Sequence, residues 1–319
     1  MILQKATINS TLLTNLVFAF FPISFISGNL IINLNLLLFC CLGIFHLRSK
    51  ILKTKYNYTI KIIFLFFFII FFSTSISFAK SLYIDGYEYN NLFKLIKSIT
   101  FFRFFLMLVI TYLLVQLDIL NFKYFFISAA FFPILISVDV IFQYFFGFNM
   151  IGLEGFNDHV NPIGRYNTSF FREELIAGNY IKSLSFFSIF FLTFRYKNKY
   201  TIRFILTTVT ICILGFGIIV SGNRMPIILF LLGLLLIFFF KDNLRKIILV
   251  SFISLLIIFY FVLSVDKKRY YDYSSFYGNA KHELVLMYNY FTNNQKNNKP
   301  KMKLEEKKRI ISHDFEHFW

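Results

Sequence analysis

Phe204 to Val220 reads FILTTVTICILGFGIIV and Pro226 to Phe240 reads PIILFLLGLLLIFFF, with only Ser221, Gly222, Asn223, Arg224 and Met225 between them. Neither run carries a charged side chain. A backbone placed in hydrocarbon must satisfy its own N–H and C=O groups, which a helix does within one segment and an open strand does not. Apolar runs of roughly 17 to 25 residues therefore predict membrane helices. This pair predicts a hairpin whose turn keeps an arginine at the membrane mouth.

The rest of the chain fits the same solvent. Hydrophobic residues make up 57% of it, 48 of its 319 residues are Phe, and the mean hydropathy is +0.66. A globule in water cannot hide that much apolar surface, so the fold class expected is all-α, a polytopic integral membrane helical bundle. The net charge of +17 would point to nucleic acid in a soluble protein. Here the cations crowd into short links between apolar runs, where membrane topology accounts for them, and no nucleic-acid partner is expected. Cys40, Cys41 and Cys212 all lie within apolar runs and have no metal or redox spacing, so they read as small hydrophobes. Lys5 precedes an apolar stretch with no small-residue cleavage site after it, which predicts an uncleaved first helix.

About nine spans are expected. They run from Leu12 to Ser27, Leu30 to Leu47, Ile60 to Ala79, Ile99 to Leu117, Tyr124 to Phe146, Glu174 to Phe194, Phe204 to Val220, Pro226 to Phe240 and Ile247 to Val265. Arg48, Lys50, Lys53, Lys55 and Lys61 mark one side as cytoplasmic, and the basic links at 195–203 and 241–246 fall on that side too. Residues 1–265 then form a transmembrane domain with a polar periplasmic loop at 147–173, and 266–319 form a periplasmic segment. That tail holds eleven Lys or Arg against seven Asp or Glu, but long segments translocate largely regardless of charge. Within it, the Asn-rich stretch 293–300 reads as a flexible hinge and Leu304 to His317 as an amphipathic helix.

Polar residues inside such a chain are where chemistry is to be sought, because lipid makes them costly. Arg224 stands where Gly222 and Asn223 permit a tight turn and Pro226 suits the first turn of the next helix. The positive helix N-terminus adds to the guanidinium field and favours an anion. Arg165 and Arg172 lie on the link that begins at Gly147 and includes Gly152, Gly155, Pro162 and Gly164. Glu173 and Glu174 open the next span, and Asn179 and Lys182 carry polarity further in. Asp139 is a possible ion-pair partner for Lys182, and Arg103 could reach the interface or the same cavity. The five histidines form no HExxH pattern, and no Asp-x-Asp pair or Gly-rich phosphate loop occurs, so no metal and no cofactor is expected. His313 and His317, spaced i and i+4, read as a solvated helix face before they read as a metal pair.

Three segments carry a family likeness. Phe171-Arg172-Glu173-Glu174-Leu175-Ile176-Ala177-Gly178-Asn179-Tyr180, Ser221-Gly222-Asn223-Arg224 and Asp139-Val140-Ile141-Phe142-Gln143-Tyr144-Phe145-Phe146-Gly147 resemble signature segments of the O-antigen ligase and O-antigen polymerase family. The likeness spans Asp139 to Arg224. It implies a glycosyltransferase of the bacterial inner membrane that takes a glycan from undecaprenyl diphosphate on the periplasmic face and joins it to an acceptor glycan or lipid A core.

On that resemblance Arg224 and Arg172 hold the diphosphate, Glu174 orients one of them, and Arg165, Glu173, Asn179 and Asn223 contact substrate. The family also implies a histidine base on the loop after the ninth span, for which His317 and His313 are the candidates. The sequence ends at Trp319, where the family's loop continues, which on that resemblance implies either a fragment of a longer protein or a shortened relative. Two other readings use the same residues. A lipid-linked oligosaccharide flippase or transporter would line its path with Arg103, Asp139 and Lys182, and a noncatalytic membrane subunit would bind the carrier without turnover.

Overall fold

The computed structural model describes residues 2–48, 51, 54, 56–83, 89–154, 156–157, 165–171 and 174–296. Among the described residues eleven helices of more than one turn follow one another: α1 (Ile2–Ala19), α2 (Phe21–Ile26), α3 (Asn29–Leu47), α4 (Tyr58–Tyr83), α5 (Tyr89–Gln116), α6 (Phe122–Phe146), α7 (Ala177–Arg195), α8 (Tyr200–Ser221), α9 (Arg224–Phe240), α10 (Arg245–Val265) and α11 (Lys267–Lys296). The only sheet among the described residues is a two-residue antiparallel pair, β1 (Phe156–Asn157) with β2 (Arg165–Tyr166), in the link between α6 and α7. Among the described residues, six helices are long and apolar enough to cross a bilayer. The chain is a multi-pass helical bundle of the membrane type.

Its surface makes the same point. Phe45, Phe66, Ile69, Phe239 and Ile257 are all more than half exposed, and a soluble protein would not leave such a surface unpaired. In lipid that exposure is not penalised, because acyl tails are as apolar as the side chains. Helix α4 is the extreme case, with 6% of its apolar window buried, whereas 56% of the corresponding window of α8 is enclosed.

The enclosed part is built on α6, α7 and α8, which pack against one another, with α9 against α7 and α8. Ile136, Ile181, Ile189, Leu214 and Ile218 are shut off completely between them. A Cβ on Gly217 would lie 2.9 Å from the Ser137 Cα, so α6 and α8 approach as closely as their backbones allow. Pro133 sits inside α6, where it removes one ladder N–H. One turn back, the Ala130 carbonyl accepts the Ser188 hydroxyl of α7 at 2.6 Å, so a side chain supports the carbonyls of that turn. A second cluster joins α1, α2, α3 and α5 through Phe18, Phe21, Phe39, Ile110 and Leu114. The Phe18 ring stands 5.3 Å from that of Phe39 and 4.9 Å from that of Phe125.

Several boundaries differ from the sequence reading. The first expected span, Leu12 to Ser27, is two helices that part at Phe20, next to Pro22. Helix α7 begins at Ala177 and not at Glu174, since the Glu174 N–H turns back to the Phe171 carbonyl at 3.0 Å. Asn179, Lys182, Ser183, Ser185 and Ser188 dilute its apolar character, and it is not among the six. The hinge expected at 293–300 is helical as far as Lys296. Residues 297–319 lie outside the described residues, as does the amphipathic helix expected from Leu304.

By contact the chain divides after Phe261 into two compact units. The second contains α11, whose start is held by an Arg269–Asp266 ion pair at 3.4 Å.

Candidate functional site

Hydrogen bonds between neighbouring helices define the two ends of the bundle. At one end the Asn15 amide reaches the Ile119 carbonyl at 2.9 Å, and His46 meets the Thr14 hydroxyl at 3.1 Å. At the other, which we call the mouth, the link from Gly147 folds back over α6.

This fold-back has identifiable causes. Gly147 ends α6 in the left-handed conformation at φ 86°, which glycine adopts without strain. Asn149 then organises the loop: its Oδ1 accepts the Ile151 and Leu153 N–H groups at 3.1 and 2.7 Å, and its Nδ2 donates to the Ser169 carbonyl at 3.2 Å. Two buried residues on the last turns of α6 hold both arms of the loop. Asp139 accepts the Met150 N–H at 2.8 Å and the Ser169 hydroxyl. Gln143 accepts the Ser169 N–H at 2.8 Å and donates to the Leu153 carbonyl at 3.2 Å. Ser169 is thereby held at φ 55°, a conformation that a non-glycine residue keeps only where its surroundings fix it. Asn167 completes the tie by donating to the Val220 carbonyl at 2.6 Å, at the end of α8.

The turn of Ser221 to Arg224 is fixed in the same way. Gly222 caps α8 at φ 93°, Asn223 is extended, and Arg224 is the first residue of α9. Asn223 donates to the Leu175 carbonyl at 2.7 Å, which binds the turn to the leader of α7. Gly178 makes that approach possible, since a Cβ there would lie 2.5 Å from the Ser221 Oγ. On the other flank the Asn29 amide donates to Glu174 at 3.3 Å, and the buried Tyr180 hydroxyl donates to the Pro22 carbonyl at 2.8 Å. A cavity of about 760 Å³ lies between the α2–α3 link and the folded-back loop, lined by Ser27, Gly28, Leu153, Phe170, Phe171 and Glu174, among others.

The expected site residues divide accordingly. Glu174, Asn223 and the half-buried Arg224 belong to one connected assembly around the α7 leader and the α8–α9 turn. Asn179 is exposed on the first turn of α7. Arg165 contributes its backbone to the β pair opposite Asn157. Arg172, Glu173, His313 and His317 lie outside the described residues. Asp139 makes no ion pair with Lys182 among the described residues; its partners are Ser169 and Met150. Arg103 is exposed, its guanidinium 4.9 Å from the Phe104 ring centre, and does not line the mouth cavity. Asn29, Gln143, Asn149, Asn167 and Ser169 were missed by the sequence reading, although each is a polar residue at or beside an apolar run.

No protein-family model, no curated protein and no solved structure matches the chain. The site is therefore read from its own chemistry.

Proposed function

We propose that the chain is a membrane glycosyltransferase of the O-antigen ligase or polymerase type, which passes a glycan from undecaprenyl diphosphate to an acceptor sugar. The observation that carries this reading is the fixing of Arg224 at the first position of α9, on a turn fastened by Asn223 to the carbonyl next to Glu174.

As the glycosidic bond breaks, negative charge grows on the diphosphate, and a guanidinium can meet two of its oxygens at once. The free N–H groups and dipole of the α9 N-terminus act in the same direction. Held in place beforehand by the Asn223 clamp, these groups need no reorganisation when the charge appears. Arg172 adds a second guanidinium and Glu174 orients one of the two, while Glu173, Asn179, Asn223 and Arg165 contact the sugar and diphosphate. A histidine of the tail, His317 or His313, takes the proton of the acceptor hydroxyl. The arginines supply the charge that a divalent ion supplies elsewhere, so no metal is required.

On this reading the bundle has nine spans in the bacterial inner membrane, with the basic links cytoplasmic and the mouth periplasmic. The Arg224→Ala variant is expected to insert normally and to lose transfer from a lipid-linked donor. Normal transfer by that variant would remove Arg224 from the mechanism.

A further inference from the structure

The mouth cavity shares a residue with the assembly that carries Arg224. Glu174 lines the cavity, and the next residue, Leu175, is the one clamped by Asn223. At about 760 Å³ the space falls within the roughly 300–1,000 Å³ of small-molecule sites. Gly28 leaves room on one side of it, since a Cβ there would meet no atom within 4 Å.

The lining is of two kinds. Ile26, Ile151, Leu153, Phe170 and Phe171 supply apolar and aromatic surface, and the Phe171 ring packs on that of Tyr180 with centres 5.5 Å apart. Two exposed polar side chains, Ser27 and Glu174, complete it. The Ser27 hydroxyl donates to the Ile23 carbonyl at 3.1 Å, so toward a ligand its oxygen accepts. The Glu174 carboxylate is acceptor-only. Asn29, the first residue of α3, donates to its Oε1 at 3.3 Å, and Oε2 has no partner among the described residues.

Acceptors beside aromatic and aliphatic surface suit a ligand with hydroxyl donors at its edge and C–H groups on its faces. A pyranose ring has that form. An ionised phosphate is itself acceptor-only and meets neither polar side chain favourably. We propose, on the transferase reading above, that this cavity is the subsite for an uncharged sugar ring, that Glu174 selects it against acidic sugars, and that Asn29 is the positioning residue for the Glu174 carboxylate. A neutral hydroxyl gains a charge-assisted hydrogen bond to Oε2, whereas the carboxylate of a uronic acid meets like charge. With about four lone-pair sites, one carboxylate can hold an arginine and a sugar hydroxyl together.

The test is saturation-transfer difference NMR of the full chain in lipid nanodiscs, titrated with the methyl glycosides of glucose, galactose and mannose and with the three matching methyl uronides. These probes carry no diphosphate, so binding is read apart from Arg224 and from transfer. Wild type is expected to bind at least one neutral glycoside and to favour it over its uronide by about tenfold. Glu174→Gln is expected to weaken the neutral glycoside by about fivefold and to abolish the preference. Asn29→Ala should reduce the preference by less, an effect on selectivity that a merely structural role would not produce. Phe170→Ala should weaken both sugars alike, which keeps the test open should Glu174→Gln fold poorly. Binding of no neutral glycoside by wild type would overturn the subsite, and an unchanged preference in folded Glu174→Gln would overturn the role of Glu174. Selective saccharide binding without glycan transfer would support the subsite and count against the transferase reading alone.

Discussion

Asn223 donates its side-chain amide to the main-chain carbonyl of Leu175 at 2.7 Å. This bond ties the turn that opens α9 to the segment that opens α7, two places far apart in the chain. It holds Arg224 and Glu174 as parts of one assembly.

Asn223→Ala removes that clamp. The loss of one hydrogen bond predicts a drop of about 1 kcal/mol in stability, small beside the effect on glycan transfer, because a loosened guanidinium must reorganise during the reaction. Thermal unfolding and transfer rate, measured on the same preparation, check this; parallel losses would make Asn223 merely structural.

Gly178→Ala tests the contact beneath the clamp. Its new Cβ would sit 2.5 Å from the Ser221 Oγ and 3.3 Å from the Asn223 Cβ, so α7 and the turn must move apart at a cost of about 1–3 kcal/mol. Removing the obstructing oxygen with Ser221→Ala should restore part of the stability. A double-mutant cycle reads this coupling directly.

Asp139→Ala leaves the Met150 N–H and the Ser169 hydroxyl without their acceptor, at about 1–3 kcal/mol for each group. Asp139→Asn keeps one acceptor oxygen and should fall between wild type and Ala. Lys182→Met should leave the melting temperature nearly unchanged, since Lys182 is not Asp139's partner; a loss equal to that of Asp139→Ala would contradict the arrangement.

Transfer should survive EDTA without loss if arginines take the role of a divalent ion on the diphosphate. A rate assay with and without chelator checks this, and abolition restored by added magnesium would contradict it.

The hairpin that decides the fold was legible because unbroken apolar runs have one structural outcome in lipid: Phe204 to Val220 lies within α8, and Pro226 to Phe240 within α9. Gly222 and Asn223 likewise announced the turn through their own backbone preferences. The break at Phe20 was harder to see, because the apolar pattern continues unbroken past it and Pro22, which suits the start of a new helix, is its one local sign. Helix α5 starts at Tyr89, ahead of the expected Ile99, because the aliphatic stems of Lys94 and Lys97 extend a helix past its apolar part. Lys97 lies over the Phe93 ring at 4.6 Å. Asp139 was expected as a possible ion-pair partner for Lys182, because charge logic sought a cation. The actual partners are a neutral hydroxyl and a backbone N–H brought back by the loop, and nothing local to Asp139 encodes that return. Asn167 and Asn223 work through main-chain carbonyls of segments distant in the chain, Val220 and Leu175, which leave no mark on the sequence around them.

The most direct test of the account is binding of undecaprenyl diphosphate, without glycan, to the purified full chain and to Arg224→Ala, with insertion and thermal unfolding verified for both. Wild type is expected to retain the carrier, and Arg224→Ala to lose affinity by about tenfold or more while keeping its fold. Equal affinity in a correctly folded variant would contradict the assignment of Arg224 to the diphosphate.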